Sequence, residues 1–442
     1  MRLSLIFCLF TLFSCQPEPE HVIEKRGKTE PIEFFYQQRT YPDGRINQKA
    51  MQEATTAYVA EVALKTGSQA WESIGPFNIG GRVTDIAVRQ RLDGSESIFL
   101  GAASGGIFRS NDGGDNWTPI FDDQPSLAIG SITLSPHSGE TLFVGTGEIN
   151  GGGGSIAYEG TGVYKSTDNG DTWTNIGLPN SASIGEIAIS PDSPDIMFVA
   201  CMGTLYEESE DRGIYRTVDG GATWEKVLYE GPNTGGVTVV IDPVNPQRIH
   251  ATLWERYRRP NNRQYFGPTS GLYVSNDGGD TWTRNDFTTT TNLSKISIAR
   301  APSNSAVMYL SAVDSGLGLE GVYKSTDNGE NWSAMTTAGQ LDEVSFEYWF
   351  NEIFVDPQDE NTLHRLGFTV SKINTGSQNS WSFVFPGVHV DQHAYWIDPT
   401  DSQRILLGND GGLFESLNGG ATYDQFLNLP ITQSYASNVA PN

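Results

Sequence analysis

From Trp71 onward, apolar and polar positions alternate in short runs, each closed by a turn rich in Gly, Pro, Asn or Asp. Such period-two runs are the pattern of half-buried strands. The runs come in a repeated unit, so the repeat governs the fold. A unit opens on an alternating run ended by a Pro turn, as in Ile184-Gly-Glu-Ile-Ala-Ile-Ser190-Pro191 or Val237-Thr-Val-Val-Ile-Asp242-Pro243. A more uniformly apolar run follows, such as Thr141-Leu-Phe-Val-Gly145. Then Gly, an aliphatic residue and an aromatic, as in Gly162-Val163-Tyr164, lead into a tight hairpin.

The hairpin reads Ser110-Asn-Asp112-Gly-Gly114-Asp-Asn-Trp117 and Ser166-Thr-Asp168-Asn-Gly170-Asp-Thr-Trp173. It returns as Thr217-Val-Asp219-Gly-Gly221-Ala-Thr-Trp224, Ser275-Asn-Asp277-Gly-Gly279-Asp-Thr-Trp282 and Ser325-Thr-Asp327-Asn-Gly329-Glu-Asn-Trp332. A degenerate copy is Ser416-Leu-Asn418-Gly-Gly420-Ala-Thr-Tyr423. The chemistry of this spacing is local. The carboxylate accepts backbone N–H groups of the turn, the Gly tolerates positive φ, and the hydroxyl bonds back into the same loop. The Trp opens the next strand and buries its ring beside the hairpin. Asp112, Asp168, Asp219, Asp277, Asp327 and Asn418 are therefore expected to fold the turns, with calcium binding there the minority reading.

Four strands per unit make a propeller blade. The tryptophans at 117, 173, 224, 282 and 332 lie about fifty residues apart, the spacing of a blade with its loops. Between Trp332 and Tyr423 there is room for two more units. The first keeps a strand pair, 350–357 and 367–373, with Trp381 in the hairpin's place, and the second starts at His389. The expectation is an all-β, seven-bladed β-propeller of four-stranded antiparallel blades over 71–430, since a closed ring removes exposed sheet edges. Trp71-Glu-Ser-Ile-Gly-Pro76 reads as an outermost strand although it precedes the first blade, and 431–442 reads as a tail or the start of a further blade. Either these two segments close the ring, or the chain is the front of a longer multi-propeller architecture.

Residues 1–70 differ. Ala50, Met51, Ala54, Tyr58, Val62 and Ala63 stand at helical spacing. One amphipathic helix is expected within 31–70, packed on the outside or bottom of the propeller. Arg2 and the apolar run Leu3 to Phe13 look like a secretory leader too short to span a bilayer. The leader, 1–15, ends Leu12-Phe13-Ser14-Cys15, a lipobox-like sequence, so a lipid on Cys15 would anchor the mature chain to a membrane; cleavage near Ser14 without lipid is the alternative. The polar, Pro- and Glu-rich stretch 16–30 has the composition of a tether. These features predict an exported lipoprotein on the outer membrane or cell surface of a bacterium.

Composition narrows the partners. Over 442 residues, Lys plus Arg is 28 against 53 Asp plus Glu, a net charge of −25, which repels phosphate backbones and argues against nucleic acid. With Cys8 and Cys15 in the leader, Cys201 is a lone cysteine in an apolar run and reads as a buried strand thiol.

The hairpins resemble those of the Asp-box (bacterial neuraminidase repeat) superfamily, which includes sialidases, tandem-propeller xyloglucanases and sortilin-type (VPS10-like) receptor propellers. The chain is most similar to bacterial exported proteins described as sortilin-like or glycosyl-hydrolase-like. The resemblance covers about 31–430 and is carried by Phe34-Phe35-Tyr36-Gln37-Gln38-Arg39, Trp71 to Pro76, Gly80-Gly81-Arg82-Val83-Thr84-Asp85, Gly145-Thr-Gly-Glu148, Leu253-Trp254 with Arg258-Arg259-Pro260, His389 to Pro399, and Gly408-Asn-Asp410-Gly-Gly412. Two departures bear on activity. A sialidase-type Arg-Ile-Pro motif is absent, and the Asp that the xyloglucanase resemblance expects two residues before the first blade's Gly-Gly is Ala103.

A propeller's site lies at one mouth of its central channel, and the polar residues expected there are Arg82, Asp85, Glu148, Asn150, Glu352, His389, Asp391, His393 and Asp410. Along one strand, alternation would put His389, Asp391 and His393 on a single face. They could satisfy neighbouring blades, contact a sugar or hold a divalent metal; no other cofactor is expected. Trp254, Arg258 and Arg259 lie in an arginine-rich loop suited to carboxylates, sulfates or sugar faces, unless it is solvated or paired with the acidic scaffold. Asp85 with Glu352 or Asp391 could form the carboxyl pair of a glycosidase. The favoured reading is a non-catalytic module binding a peptide or glycan at the channel mouth; the alternative is a glycoside hydrolase acting on polysaccharide, and the third is an assembly scaffold.

Overall fold

The computed structural model describes residues 79–432 apart from 92, 151–157, 260–261, 338–340, 342–343, 345 and 378–379, together with 40–42, 44, 47, 50, 53–58 and 61. The leader with Cys15, the tether, the 34–39 and 71–76 motifs and the tail beyond Thr432 lie outside the described residues. Residues 53–58 are helical, as expected. Ala54 and Tyr58, two residues of the apolar face expected to pack on the propeller, are exposed instead.

Seven four-stranded antiparallel sheets follow one another, each in simple sequence order from inside to outside. Their innermost strands are Val83–Gln90, Ile129–Leu134, Ile184–Ile189, Thr234–Ile241, Ile296–Arg300, Glu352–Val355 and Gln392–Ile397. This is the expected seven-bladed propeller. In blade 6 the strand Thr362–Leu366 lies between the two runs recognised in the sequence. Blade 4 carries an inserted two-stranded ribbon, Tyr257–Arg259 with Asn262–Gln264.

The hairpins fold as their chemistry dictates. In blade 1 the Ser110 hydroxyl donates to Asp112 at 2.7 Å and accepts the Gly114 N–H at 2.9 Å, while Asp112 accepts both the backbone and the side-chain N–H of Asn116. The same set recurs at Ser166, Thr217, Ser275 and Ser325; in blade 7 Asn418 keeps the backbone bonds of the turn but donates its own amide N–H to the Thr422 hydroxyl at 2.7 Å, where an aspartate would accept. Each hairpin then touches the preceding blade. Trp173 donates its indole N–H to Ile120 O at 2.7 Å, and Trp224 donates to Ile176 O at 2.8 Å. A Cβ on Gly170 would strike Ile120, and one on Gly221 would strike Ile176; both glycines also hold positive φ.

Ring closure repeats this contact. Phe426, leaving blade 7, meets Trp117 edge-on at 6.1 Å and lies where a Cβ on Gly114 would point. Asn428 caps the Gly114 and Asp115 carbonyls, and Leu429 and Ile431 join the core between blades 7 and 1. The segment 426–432 therefore helps to close the ring without adding a strand to blade 1. Each interface between adjacent blades is one apolar cluster; Cys201 is buried in that between blades 2 and 3, where burial pushes its thiol up. A further cluster, with Trp254, Tyr348, Trp349 and Phe350, draws residues from blades 2 to 6.

Candidate functional site

The site begins with the register of the innermost strands. In blades 1, 2, 3, 4 and 7 each has a bulge near its start, beside Thr84, Gly130, Gly185, Val237 and His393. A bulge re-aims the residues around it. The position just after it carries Asp85, Ser131, Glu186, Thr238 and Ala394, opposite Gly101, Gly145, Ala200, Thr252 and Gly408. Asp85, Ser131, Glu186, Thr238 and Ala394, with Ser297 of blade 5 and Glu352 of blade 6, line one cavity of about 280 Å³ in the central channel.

Of the four carboxyls that line this cavity, Asp85, Glu186 and Glu352 are held differently. Asp85 accepts the N–H groups of Ile86 (2.8 Å) and, in the next blade, Ile132 (2.6 Å). Enclosure pushes its carboxyl up to about 7; the two N–H groups oppose the rise and Glu352 adds to it. Glu186 accepts the Val239 N–H at 3.0 Å and is pushed up to about 8, again by enclosure first, with Glu352 and Asp85 adding repulsion. Glu352 instead has a cation: the fully buried Lys295 ammonium pairs with it, and the Ser297 hydroxyl donates to it at 2.9 Å. Lys295 also donates to Phe350 O at 2.6 Å, and burial draws its charge down against the pull of Glu352.

A second network adjoins the cavity. Arg82 grips Asp410 with two N–H groups, at 2.6 and 3.0 Å, and Glu148 with a third, at 3.1 Å. Its guanidinium lies over the Trp349 ring, 5.3 Å from the centroid. Burial works against this charge, but Glu148 and Asp410 outweigh it and raise the Arg82 pKa. His393 lies 3.0 Å from Asp410, and the bonds from His393 and Arg82 hold that carboxyl low despite its burial. Asp391 stands beside this network with its carboxyl raised, by burial first and then by Asp410.

Of the residues expected at the mouth, Asp85, Glu148, Asn150, Glu352 and His393 line the cavity, and Arg82, Asp391 and Asp410 adjoin it. The expected common face of His389, Asp391 and His393 does not form. Strand Gln392–Ile397 starts after Asp391, whose φ of 69° turns the chain, and His389 ends exposed with its Nδ1 on Val390 O. Among the described residues no three His, Cys, Asp or Glu side chains are grouped closely enough to hold one metal ion.

The arginine-rich loop is also placed differently. Trp254 and Arg258 are fully buried, so neither presents a face to a ligand here. Arg256 stacks on Trp254 at 4.4 Å and donates to Ile149 O, while Arg259 covers Tyr257 and donates to Asn233. Within and beside an inserted ribbon that periodicity does not reveal, Trp254, Arg256 and Arg258 are buried, whereas Tyr257 and Arg259 stay half-buried. The buried Glu347–Arg365 pair, 2.6 Å long, fixes the adjoining turn Glu347–Trp349. Sequence reasoning missed Glu186 and Lys295. Glu186 was visible in principle: Gly185-Glu186-Ile187-Ala188-Ile189 repeats Thr84-Asp85-Ile86-Ala87-Val88.

Fold and hairpins define an Asp-box β-propeller. Its similarities run to glycoside hydrolases and to sortilin. The family model "Sortilin, neurotensin receptor 3" matches residues 105–234. The chain is 24% identical over 326 residues to a xyloglucanase of Paenibacillus sp, covering 66% of this chain and 30% of that protein. It is 26% identical over 237 residues to a xyloglucanase of Acetivibrio thermocellus, covering 48% and 26% respectively. It thus spans less than a third of these relatives. Among solved structures it is similar to a GH74 enzyme of Niastella koreensis, with a TM-score of 0.58 and 17% identity over 82% of this chain and 56% of that one. A GH74 xyloglucanase of Xanthomonas campestris gives 0.57 and 19% over 80% and 55%. The chain is a glycoside-hydrolase-like propeller.

Proposed function

We propose that the chain is a glycan-handling propeller of the glycoside-hydrolase type, holding a sugar in its central channel and cleaving its glycosidic bond. The observation that carries this is the pair Asp85 and Glu352, two carboxyls in one cavity with opposite environments. Asp85 is enclosed without a cation and titrates near neutrality, so it can arrive protonated. Glu352 is ion-paired to Lys295 and so remains an acceptor. Asp85 would pass its proton to the departing glycosidic oxygen as the bond to the anomeric carbon breaks. Water would add to that carbon and lose its proton to Glu352. The xyloglucan-acting relatives make a polysaccharide the natural substrate class.

A second reading, a propeller that binds a glycan or peptide without turnover, is favoured by two observations. Ala103 stands where the xyloglucanase resemblance expects Asp, and both oxygens of Asp85 already accept backbone N–H groups. A screen of the purified chain on glycan and peptide arrays, with released reducing sugar assayed on every glycan bound, separates the two. Turnover that falls at least about a hundredfold in Asp85→Asn and in Glu352→Gln supports hydrolysis. Saturable binding without turnover leaves only the binding module. We also propose that a lipid on Cys15 holds the propeller at the cell envelope; mass spectrometry of the mature N-terminus, finding an unmodified residue there, would remove the anchor.

A further inference from the structure

We infer that the channel cavity is a subsite for a single sugar unit, and that Glu186, with Asp85 and Glu352, selects uncharged and amino sugars and rejects anionic ones such as uronates. This rests on the glycan reading above and extends it to substrate class.

The cavity wall is built from acceptors. Asp85, Glu186 and Glu352 contribute carboxyls from blades 1, 3 and 6, and Glu148, paired with Arg82, adds a fourth. Between them stand two hydroxyls that the fold leaves unused. Ser131 is 5% exposed and Thr238 is 7% exposed, both line the cavity, and neither hydroxyl makes a hydrogen bond among the described residues. Asn150, also in the lining, has an enclosed amide oxygen with no donor. Enclosed polar groups of this kind are satisfied by something that occupies the space between them. Water can do so when the cavity is empty; a ligand that displaces it must bring donors.

Spread and size define that ligand. The carboxyls do not group around one point closely enough for one ion, so the partner carries several donors at several places. A cavity of about 280 Å³ lies at the small end of ligand pockets, enough for one ring but not for an oligosaccharide. A pyranose unit meets both conditions.

Charge sets the preference. Lys295 is committed to Glu352, and among the described residues no cationic side chain hydrogen-bonds Asp85 or Glu186. A ligand carboxylate would enter a low-dielectric space in which no cation meets Asp85 or Glu186, and so would stay uncompensated there, whereas an ammonium would let these two carboxyls ionise and become their counter-charge.

The test is calorimetric titration of the purified chain at pH 7 with three matched oligosaccharides ending in glucose, glucosamine or glucuronate. The glucosamine end should bind at least as tightly as glucose, and glucuronate about tenfold or more weaker than either. Glu186→Gln keeps an oxygen for the Val239 N–H and should narrow the gap between glucosamine and glucuronate about tenfold; Asp85→Asn should narrow it in the same direction if the first variant does not fold. Thr238→Val should weaken all three ligands without changing their order. Glucuronate binding as well as glucose, or an order untouched by Glu186→Gln and Asp85→Asn, overturns the inference while the glycan reading stands. No binding by any of the three sinks the glycan reading itself.

Discussion

The aspartates of the rim and the acids of the channel show how one side-chain type is driven in opposite directions. Asp168, Asp219 and Asp277 lie in the hairpins, where a Thr side chain, a backbone N–H and the box hydroxyl hold each at about 2. Asp85 also accepts two N–H groups, yet enclosure carries it to about 7. The donors are similar; what differs is access to water, and in the channel desolvation outweighs them. The partners differ in range as well. Asp168 is satisfied by residues two and four positions away. Asp85 reaches 47 residues to Ile132, Glu186 reaches 53 to Val239, and Lys295 reaches 57 to Glu352. A rim turn folds itself, whereas the channel exists only once the ring has closed.

The sharpest way to break this contrast is to remove a long-range pair. Glu347 and Arg365 are both almost wholly buried, and Glu347 also accepts the Val344 N–H. Glu347→Ala leaves the Arg365 charge enclosed without its carboxylate and should cost about 3–5 kcal/mol of stability. It should also release Trp349 from its place against Arg82. Chemical denaturation checks the first expectation, and indole fluorescence read before the unfolding transition checks the second. A loss below about 1 kcal/mol would mean that the turn over the channel is held by its aromatic packing alone.

The next effect is smaller and has a sign. For Asp85 and Glu186 the folded state raises the carboxyl above its ordinary value, so between about pH 4 and 8 the native chain binds more protons than the unfolded one. Stability falls as pH rises through that window, by up to about 1.4 kcal/mol per pH unit for each carboxyl. The rim acids act the other way: their contribution is present above about pH 4 and is lost as pH falls toward 2. Asp85→Asn with Glu186→Gln should therefore flatten the decline between pH 5 and 8 and leave the acid limb in place. Melting temperatures across pH 3–9 distinguish the two limbs. An unchanged neutral limb would mean that the channel acids do not ionise within an enclosed site.

The same division explains what was legible in the sequence. The hairpins could be read because every group they need lies within eight residues, and the degenerate Asn418 copy was recognisable for the same reason. Repeat counting then led to seven blades. The channel was legible only in part. Arg82, Asp85, Glu148 and Glu352 are polar residues that the sequence places at the channel mouth, but Glu186 depends on the bulge that aligns blade 3 with blade 1. His389 was lost to a backbone turn at Asp391 that alternation does not anticipate. Trp254 and Arg258 were misplaced because an inserted ribbon buries charge and ring together, which runs against the usual exposure of arginine.

The smallest effect belongs to the rim. Ser166 is buried; its hydroxyl donates to Asp168 at 2.7 Å and accepts the Gly170 N–H at 2.8 Å. Ser166→Ala deprives both groups of that partner. Asp168 keeps its bonds from Thr172 and its contact with solvent, so the main cost is the Gly170 N–H, buried against Ile120 of the preceding blade. An unsatisfied buried donor costs about 1–3 kcal/mol, and a turn that can shift toward water lies at the low end. The expectation is a loss of about 1 kcal/mol with no change in how stability declines between pH 5 and 8, because the channel acids are untouched. Should the variant also change that neutral limb, the hairpins would be transmitting strain to the channel, and the self-contained character of the rim would have to be given up.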